Sequence, residues 1–286
     1  MKNSMVTVEF RGVFAAVVFA LSIQTASGAN PVVNTHPRLL LSSAEKSRLM
    51  AKKNANDASW LTLKARADLL ATYSVMPYKF ATSYAARENT IFYTYQGEGW
   101  LYATLPLAVA YQMTSDTKYS DKLIELAQEM IRAQADPDNN PPKGQTPIQL
   151  DSYYASRNVA PVLAFIYDFC YDQLSASLKT QMVTLMNAYY DDVSVNGYQA
   201  QDYSSAADGN YFGGHLYGVG LMGYASFGDN PRAQEMIEWA RIRFDGSPAP
   251  TLPASKCQLR LKSPQSSGRK FPTPTHALEP LLSGPY

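Results

Sequence analysis

The chain has 286 residues with 25 basic and 24 acidic side chains, a formal charge of +1, and 46% hydrophobic residues. A balance this even, with no basic run, excludes an electrostatic footprint for nucleic acid. Two cysteines cannot form a disulfide framework.

The first 29 residues predict a secretory signal peptide. Lys2 and Arg11 supply a positive start, Gly12 to Ile23 an apolar stretch, and Ala26-Ser27-Gly28-Ala29 small residues for cleavage. The apolar run is shorter than the ~20 residues of a membrane span. No later segment is long and apolar enough to cross a bilayer. The expectation is a secreted or periplasmic protein with no membrane contact after cleavage. CxxC pairs, Walker loops, GxSxG elbows and HExxH motifs are all missing, and nothing asks for a cofactor or a metal.

Residues 30–245 predict one all-α domain. After His36-Pro37-Arg38-Leu39-Leu40-Leu41, Ser42 and Glu45 have capping-box spacing for a helix reaching about Lys53. Trp60, Leu61, Leu63, Ala67 and Leu70 then recur at helical spacing. Met76 to Asn89 reads as an irregular connection.

A repeat follows. Leu107-Ala108-Val109-Ala110-Tyr111, Leu163-Ala164-Phe165-Ile166-Tyr167 and Gly220-Leu221-Met222-Gly223-Tyr224 resemble one another, with their tyrosines 56 and 57 residues apart. Each ends an apolar helix that is followed by a short turn and an amphipathic helix. The expected inner helices are 98–113, 152–171 and 210–227, and their outer partners 119–134, 175–191 and 231–244. Pro231 suits a first-turn position. Such hairpins bury their faces against their neighbours, as repeat architectures do. The third inner helix carries glycines from Gly213 to Gly223. Each costs roughly 0.8–1 kcal/mol in a helix interior, so close approach of neighbouring helices is expected there.

The connections from outer to next inner helix, 135–151 and 193–209, are long and rich in Pro, Asn, Gly and Tyr. Loops of that kind are usually functional, and both fall beside the N-termini of inner helices. A cleft is expected at that end. Residues 246–286 hold eight prolines and one acidic residue, Glu279, and read as a disordered tail or as sequence foreign to the fold.

Nine residues before the repeat tyrosines stand Tyr102, Asn158 and His215, polar groups at one register of apolar helices. Nearer the helix starts lie Gln96, Glu98 and Trp100, then Tyr153, Tyr154 and Arg157, then Asn210 and Tyr211. Buried polar side chains are ordinarily satisfied within a fold, and Asp151 and Asp208 read first as helix caps. The gathering of register, loops and residue type at one end favours a site.

The opening His36-Pro37-Arg38-Leu39-Leu40, the run Asn210-Tyr211-Phe212-Gly213-Gly214-His215-Leu216 with Gly228-Asp229-Asn230-Pro231, and Arg157 to Asp172 with Tyr167-Asp168 resemble heparinase II/III-like polysaccharide lyases. The resemblance spans about residues 34 to 245. It implies an (α/α) toroid, here incomplete, and β-elimination on an acidic, uronic-acid-containing polysaccharide such as heparan, chondroitin or alginate. In that chemistry an amide or cation neutralises the C5 carboxylate, one Tyr or His removes the C5 proton, and another protonates the departing O4. Carried onto this chain, Asn210 is the neutraliser and His215 the base or its orienting partner. Tyr153 or Tyr154 is the proton donor, and Arg157 binds carboxylate or sulfate, a bidentate role open to a guanidinium.

The chain departs from the family pattern. Tyr211 stands where many such lyases carry His. The family's later catalytic Tyr falls in the Pro-rich segment, whose only tyrosine is Tyr286, and the C-terminal β-sandwich has no counterpart. Either Asn158 neutralises with Tyr211 as base, or the chain is a fragment; the fragment is favoured. Two other classes stay open. One is a non-catalytic carbohydrate-binding protein that stacks sugars on Trp100, Tyr153 and Tyr211. The other is a glycoside hydrolase using two of Glu98, Asp151 and Asp208.

Overall fold

The computed structural model describes residues 35–78, 89–140, 144, 146–150, 155–196 and 210–246. The expected signal peptide at residues 1–29 and nearly all of the Pro-rich segment lie outside the described residues. Within them the protein is mostly helical, as the periodicity predicts.

Helix α1 (Ser43–Asn54) starts at Ser42, whose Oγ accepts the Glu45 N–H at 3.2 Å. The second half of the capping box does not form, because the Glu45 carboxylate turns instead to Arg48 at 2.7 Å. Helix α2 (Ala58–Ala71) is capped by Asp57 and buries Trp60, Ala67 and Leu70. Leu61, expected on that apolar face, is exposed. A short parallel pair, β1 (Ser74–Val75) with β2 (Thr90–Ile91), flanks the stretch expected to be irregular.

Three helix pairs come next. Helix α3 (Glu98–Thr114) pairs with α4 (Thr117–Ala135) across a turn in which Ser115 adopts φ 57° and Asp116 caps the second helix. After a four-residue helix, α5 (Pro147–Leu150), a π-helical turn at Ala155–Val159 leads into α6 (Ala160–Phe169). The expected start at 152 for the second inner helix lies outside the described residues. From Ala155 the segment is helical, and regular α-geometry is reached at Ala160, where Pro161, having no N–H to donate, fits the first turn. Helix α7 (Ala176–Asp191) packs back on α6 from its Ser175 cap. Helix α8 (Asn210–Ala225) pairs with α9 (Ala233–Gly246). The last helix begins two residues later than Pro231 predicted, because the Asn230 side chain caps the turn through the Arg232 N–H at 3.0 Å.

Packing follows the sequence order of the pairs. α3 lies against α6 and α6 against α8, while α4 also touches α7. All ten residues of α6 are buried, and α4 shows the two-sided pattern of an outer helix. The glycine run has the expected purpose at two positions. A Cβ on Gly218 would sit 2.1 Å from the Ser156 carbonyl oxygen, and one on Gly223 would sit 2.9 Å from Ile237 Cγ1. A side chain is excluded at Gly218 by the π-turn backbone and at Gly223 by both side chains and backbone of α9. Gly213 faces open space.

One charge sits in this interior. Asp168 is fully buried on α6 and accepts from His36 Nδ1 at 2.6 Å, the Arg38 N–H at 2.9 Å and the Leu39 N–H at 2.7 Å. His36 stacks on Tyr171 with ring centroids 3.8 Å apart. The Arg38 guanidinium donates to the Phe227 carbonyl at 2.5 Å, just past the C-terminus of α8. The His36–Leu39 segment thereby ties α6 to α8. Among the described residues no helix is long and apolar enough to cross a membrane.

Two outcomes test this packing. Asp168→Ala is expected to destabilise the protein by about 3–5 kcal/mol in chemical denaturation, since it strands two buried N–H groups and the imidazole. Gly218→Ala should cost about 1–3 kcal/mol by overpacking, whereas Gly213→Ala should leave stability unchanged or raise it by up to about 1 kcal/mol.

Candidate functional site

The starts of the first two inner helices and the middle of the third meet at one joint. Gln96 is held in the left-handed region (φ 56°, ψ 40°) and Gly97 at φ 99°, so the chain reverses sharply into α3. For a non-glycine residue this conformation is uncommon, and such strain gathers at functional sites. The π-turn sits directly against it. A Cβ on Gly97 would meet Val159 Cγ2 at 2.7 Å, and Asn158 Nδ2 donates to the Gln96 carbonyl at 3.2 Å. Helix α8 closes the joint by laying Gly218 on the Ser156 carbonyl. Close approach at two glycines joins these three elements: π-turn side chains pack on Gly97, and the π-turn backbone packs on Gly218.

Two further contacts hold the surrounding segments. Glu129, near the end of α4, accepts the Tyr78 N–H at 2.5 Å and both forks of Arg132. Arg132 in turn donates to Asn140 Oδ1 at 3.0 Å. The segments around Tyr78 and Asn140 are thus fixed to the same end of α4.

Glu98 opens α3, Tyr102 stands one turn along, and Arg157 projects from the π-turn packed beside them. Burial pushes the Glu98 carboxyl above its usual range, and the Arg157 charge draws it partway back. Burial also raises the Tyr102 phenol, as does the negative charge of Glu98, while Arg157 opposes both. The three side chains therefore form one electrostatic group. Arg157 is exposed and Tyr102 is 53% exposed, so an incoming anion can reach them.

The structure brings Gln96, Arg157 and Asn158 together, as the sequence predicts. His215 is fully buried on α8, one turn before Gly218. Trp100 requires a correction. The stacking role assigned to it needs an exposed ring, yet Trp100 has no exposed surface and packs edge-on against Tyr93 at 4.9 Å. The one-register argument is also corrected in part, because Tyr102 is half exposed whereas Asn158 and His215 are buried. A shared sequence register does not ensure a shared surface when helices begin with different turns. Tyr153, Tyr154, Asp151 and Asp208 lie outside the described residues, as do the side chains of Asn210 and Tyr211.

Sequence reasoning missed two carboxylates. Asp168 carries the N-terminal segment, and its signal was a lone charge in the apolar run from Val162 to Phe169, where a charge requires partners. Asp192, in the π-turn that follows α7 at Asp192–Asn196, is raised by burial and acts electrostatically on buried Tyr189. Among the described residues no group of His, Cys, Asp and Glu could hold a metal ion. No protein-family model matches the chain, and no curated protein matches it.

Glu98 gives a pH test. Its folded-state pKa is raised, so the folded protein binds this proton more tightly than the unfolded chain. The resulting penalty on folding is present above the folded pKa and disappears as pH falls through it. Glu98→Gln is therefore expected to raise the melting temperature at pH 7, with the difference from wild type shrinking towards pH 4.

Proposed function

We propose that this chain is a toroid-type portion of an exported polysaccharide lyase, cleaving a uronic-acid-containing polymer by β-elimination. The observation that supports it is the grouping of an exposed guanidinium (Arg157), a half-exposed phenol (Tyr102) and a buried amide (Asn158) at one end of the inner helices. Those are the chemical types the reaction uses. The predicted leader at residues 1–29 supports export.

In this reading Arg157 binds the uronate carboxylate, with Asn210 or Asn158 as the amide beside it. Neutralising that carboxylate acidifies the C5 proton. A base takes the proton, the electron pair forms the C4–C5 double bond, and the C4–O4 bond breaks. O4 leaves with a proton from an acid. Tyr102 suits the acid, because burial and Glu98 both keep its phenol protonated. Its raised pKa makes it a poor base. The base is assigned to His215 or to one of Tyr154, Tyr153 and Tyr211. His215, without solvent contact, suits the orienting role equally.

Glu98 favours one alternative. A carboxyl raised by burial is the usual general acid of a glycoside hydrolase, and Asp192 is a second raised carboxyl. Hydrolysis would release reducing sugar without a double bond.

The deciding assay incubates the protein with heparan, chondroitin and alginate while following the ultraviolet absorbance of an unsaturated uronate. Tyr102→Phe is expected to lower kcat by about 10²–10⁴ without changing the melting temperature, and Arg157→Gln to act mainly by raising KM. Absence of unsaturated product from all three polymers would overturn the reading.

A further inference from the structure

Beneath the Gln96–Glu98 surface lies a group of polar atoms that the fold leaves unbonded. Trp100 Nε1, Tyr78 Oη, Ser156 Oγ and Gln96 Oε1 are all buried without a hydrogen-bond partner. Three of the four residues are almost wholly enclosed: Trp100 and Tyr78 at 0% exposure and Ser156 at 1%. They come from three chain segments that converge on the same joint. Tyr93 links Tyr78 to Trp100, with its ring 4.7 Å from the first and 4.9 Å from the second, and an edge carbon 3.4 Å from where a Gly97 Cβ would sit.

Native proteins pair more than nine in ten of their buried polar groups. An unpaired one is costly, and several at one joint demand a reason. Tyrosines elsewhere among the described residues are satisfied: Tyr119 donates to Asp68 at 2.7 Å, Tyr111 to Asp172 at 2.6 Å and Tyr167 to Asp229 at 2.9 Å. Gln134 Oε1 is also buried without a partner, so what sets this end of the inner helices apart is the number of such atoms it gathers.

We propose that this aromatic-walled group is a subsite for the neutral, hydroxyl-bearing part of a sugar residue, completed only when saccharide is bound. Its chemistry is a mixture of donors (indole N–H, phenol O–H) and acceptors (amide and hydroxyl oxygen) that carries no charge, which matches sugar hydroxyls and not a carboxylate. The carboxylate has Arg157, next in sequence to Ser156. Gln96 and Glu98, both partly exposed, form the edge through which a ring substituent enters. The subsite rests on the proposed polysaccharide reading and adds to it the means of recognising the uncharged face of the sugar.

The test separates a group reserved for ligand from one that supports the fold. Tyr78→Phe and Ser156→Ala each remove one unbonded hydroxyl with little change of shape. Each is expected to keep the melting temperature or raise it by about 2–4 °C, and to weaken binding of heparan, chondroitin or alginate tetrasaccharides by about 3–10-fold in calorimetry. Tyr119→Phe, which breaks a satisfied bond away from the site, is the control and should lower the melting temperature without changing affinity. A fall in melting temperature for Tyr78→Phe or Ser156→Ala comparable to the control would overturn the subsite. So would unchanged affinity, or a wild-type protein that binds none of the three saccharides. Elimination activity with affinity indifferent to both substitutions removes the subsite and leaves the lyase standing. Binding that depends on both, with no unsaturated product, does the reverse.

Discussion

Asp168 is the constraint on which the arrangement of the inner helices depends. A carboxylate without solvent contact must have its charge met by donors close at hand, and here they come from outside its own helix: an imidazole and two backbone N–H groups of the His36–Leu39 segment. That segment cannot satisfy Asp168 without also bringing Arg38 onto the carbonyls that end α8. A cation is favourable at a helix C-terminus, where unpaired carbonyls and the helix dipole both present negative charge. One buried acid therefore fixes the N-terminal segment, α6 and α8 relative to one another.

The opposite ends of the same helices are joined by different means. At the Asp168 end, the buried carboxylate is met by donors from another segment. At the Gln96–Ser156 joint, neighbours press on Gly97 and Gly218, and several polar side chains are left unmatched. A fold with one end closed by a matched charge and one end strained and short of partners has the asymmetry expected when one end is built for stability and the other for binding. The Glu98, Tyr102 and Arg157 group sits at the second end, where burial and neighbouring charge shift the proton affinities of Glu98 and Tyr102.

The pattern of apolar residues made the helices and their pairing legible. Amphipathic spacing in α4, the all-apolar run of α6 and the short turns between partners each state a local rule that nothing in the tertiary structure contradicts. The glycines of α8 were legible as markers of close approach, because their helix penalty needs an offset. The sequence did not say which of them were in contact: Gly218 and Gly223 prove too crowded for a Cβ, whereas Gly213 and Gly220 do not. At the candidate site, Gln96, Arg157 and Asn158 were legible as neighbours from their places beside helix starts.

Trp100 was not, and the reason is physical. A tryptophan near a helix N-terminus reads the same whether its ring faces solvent or the core, and the choice rests on Tyr78 and Tyr93 arriving from other segments. Asp168 was visible as an anomaly, but its partners lie 129 to 132 positions away. Sequence by itself determined the all-α class and the pairing of successive helices, because those follow from periodicity within a few turns of chain. Only the tertiary structure decided which polar groups are paired, which are buried, and which are left to meet a ligand. Hydrogen bonds and desolvation depend on contacts between segments far apart in the chain, and no local pattern encodes them.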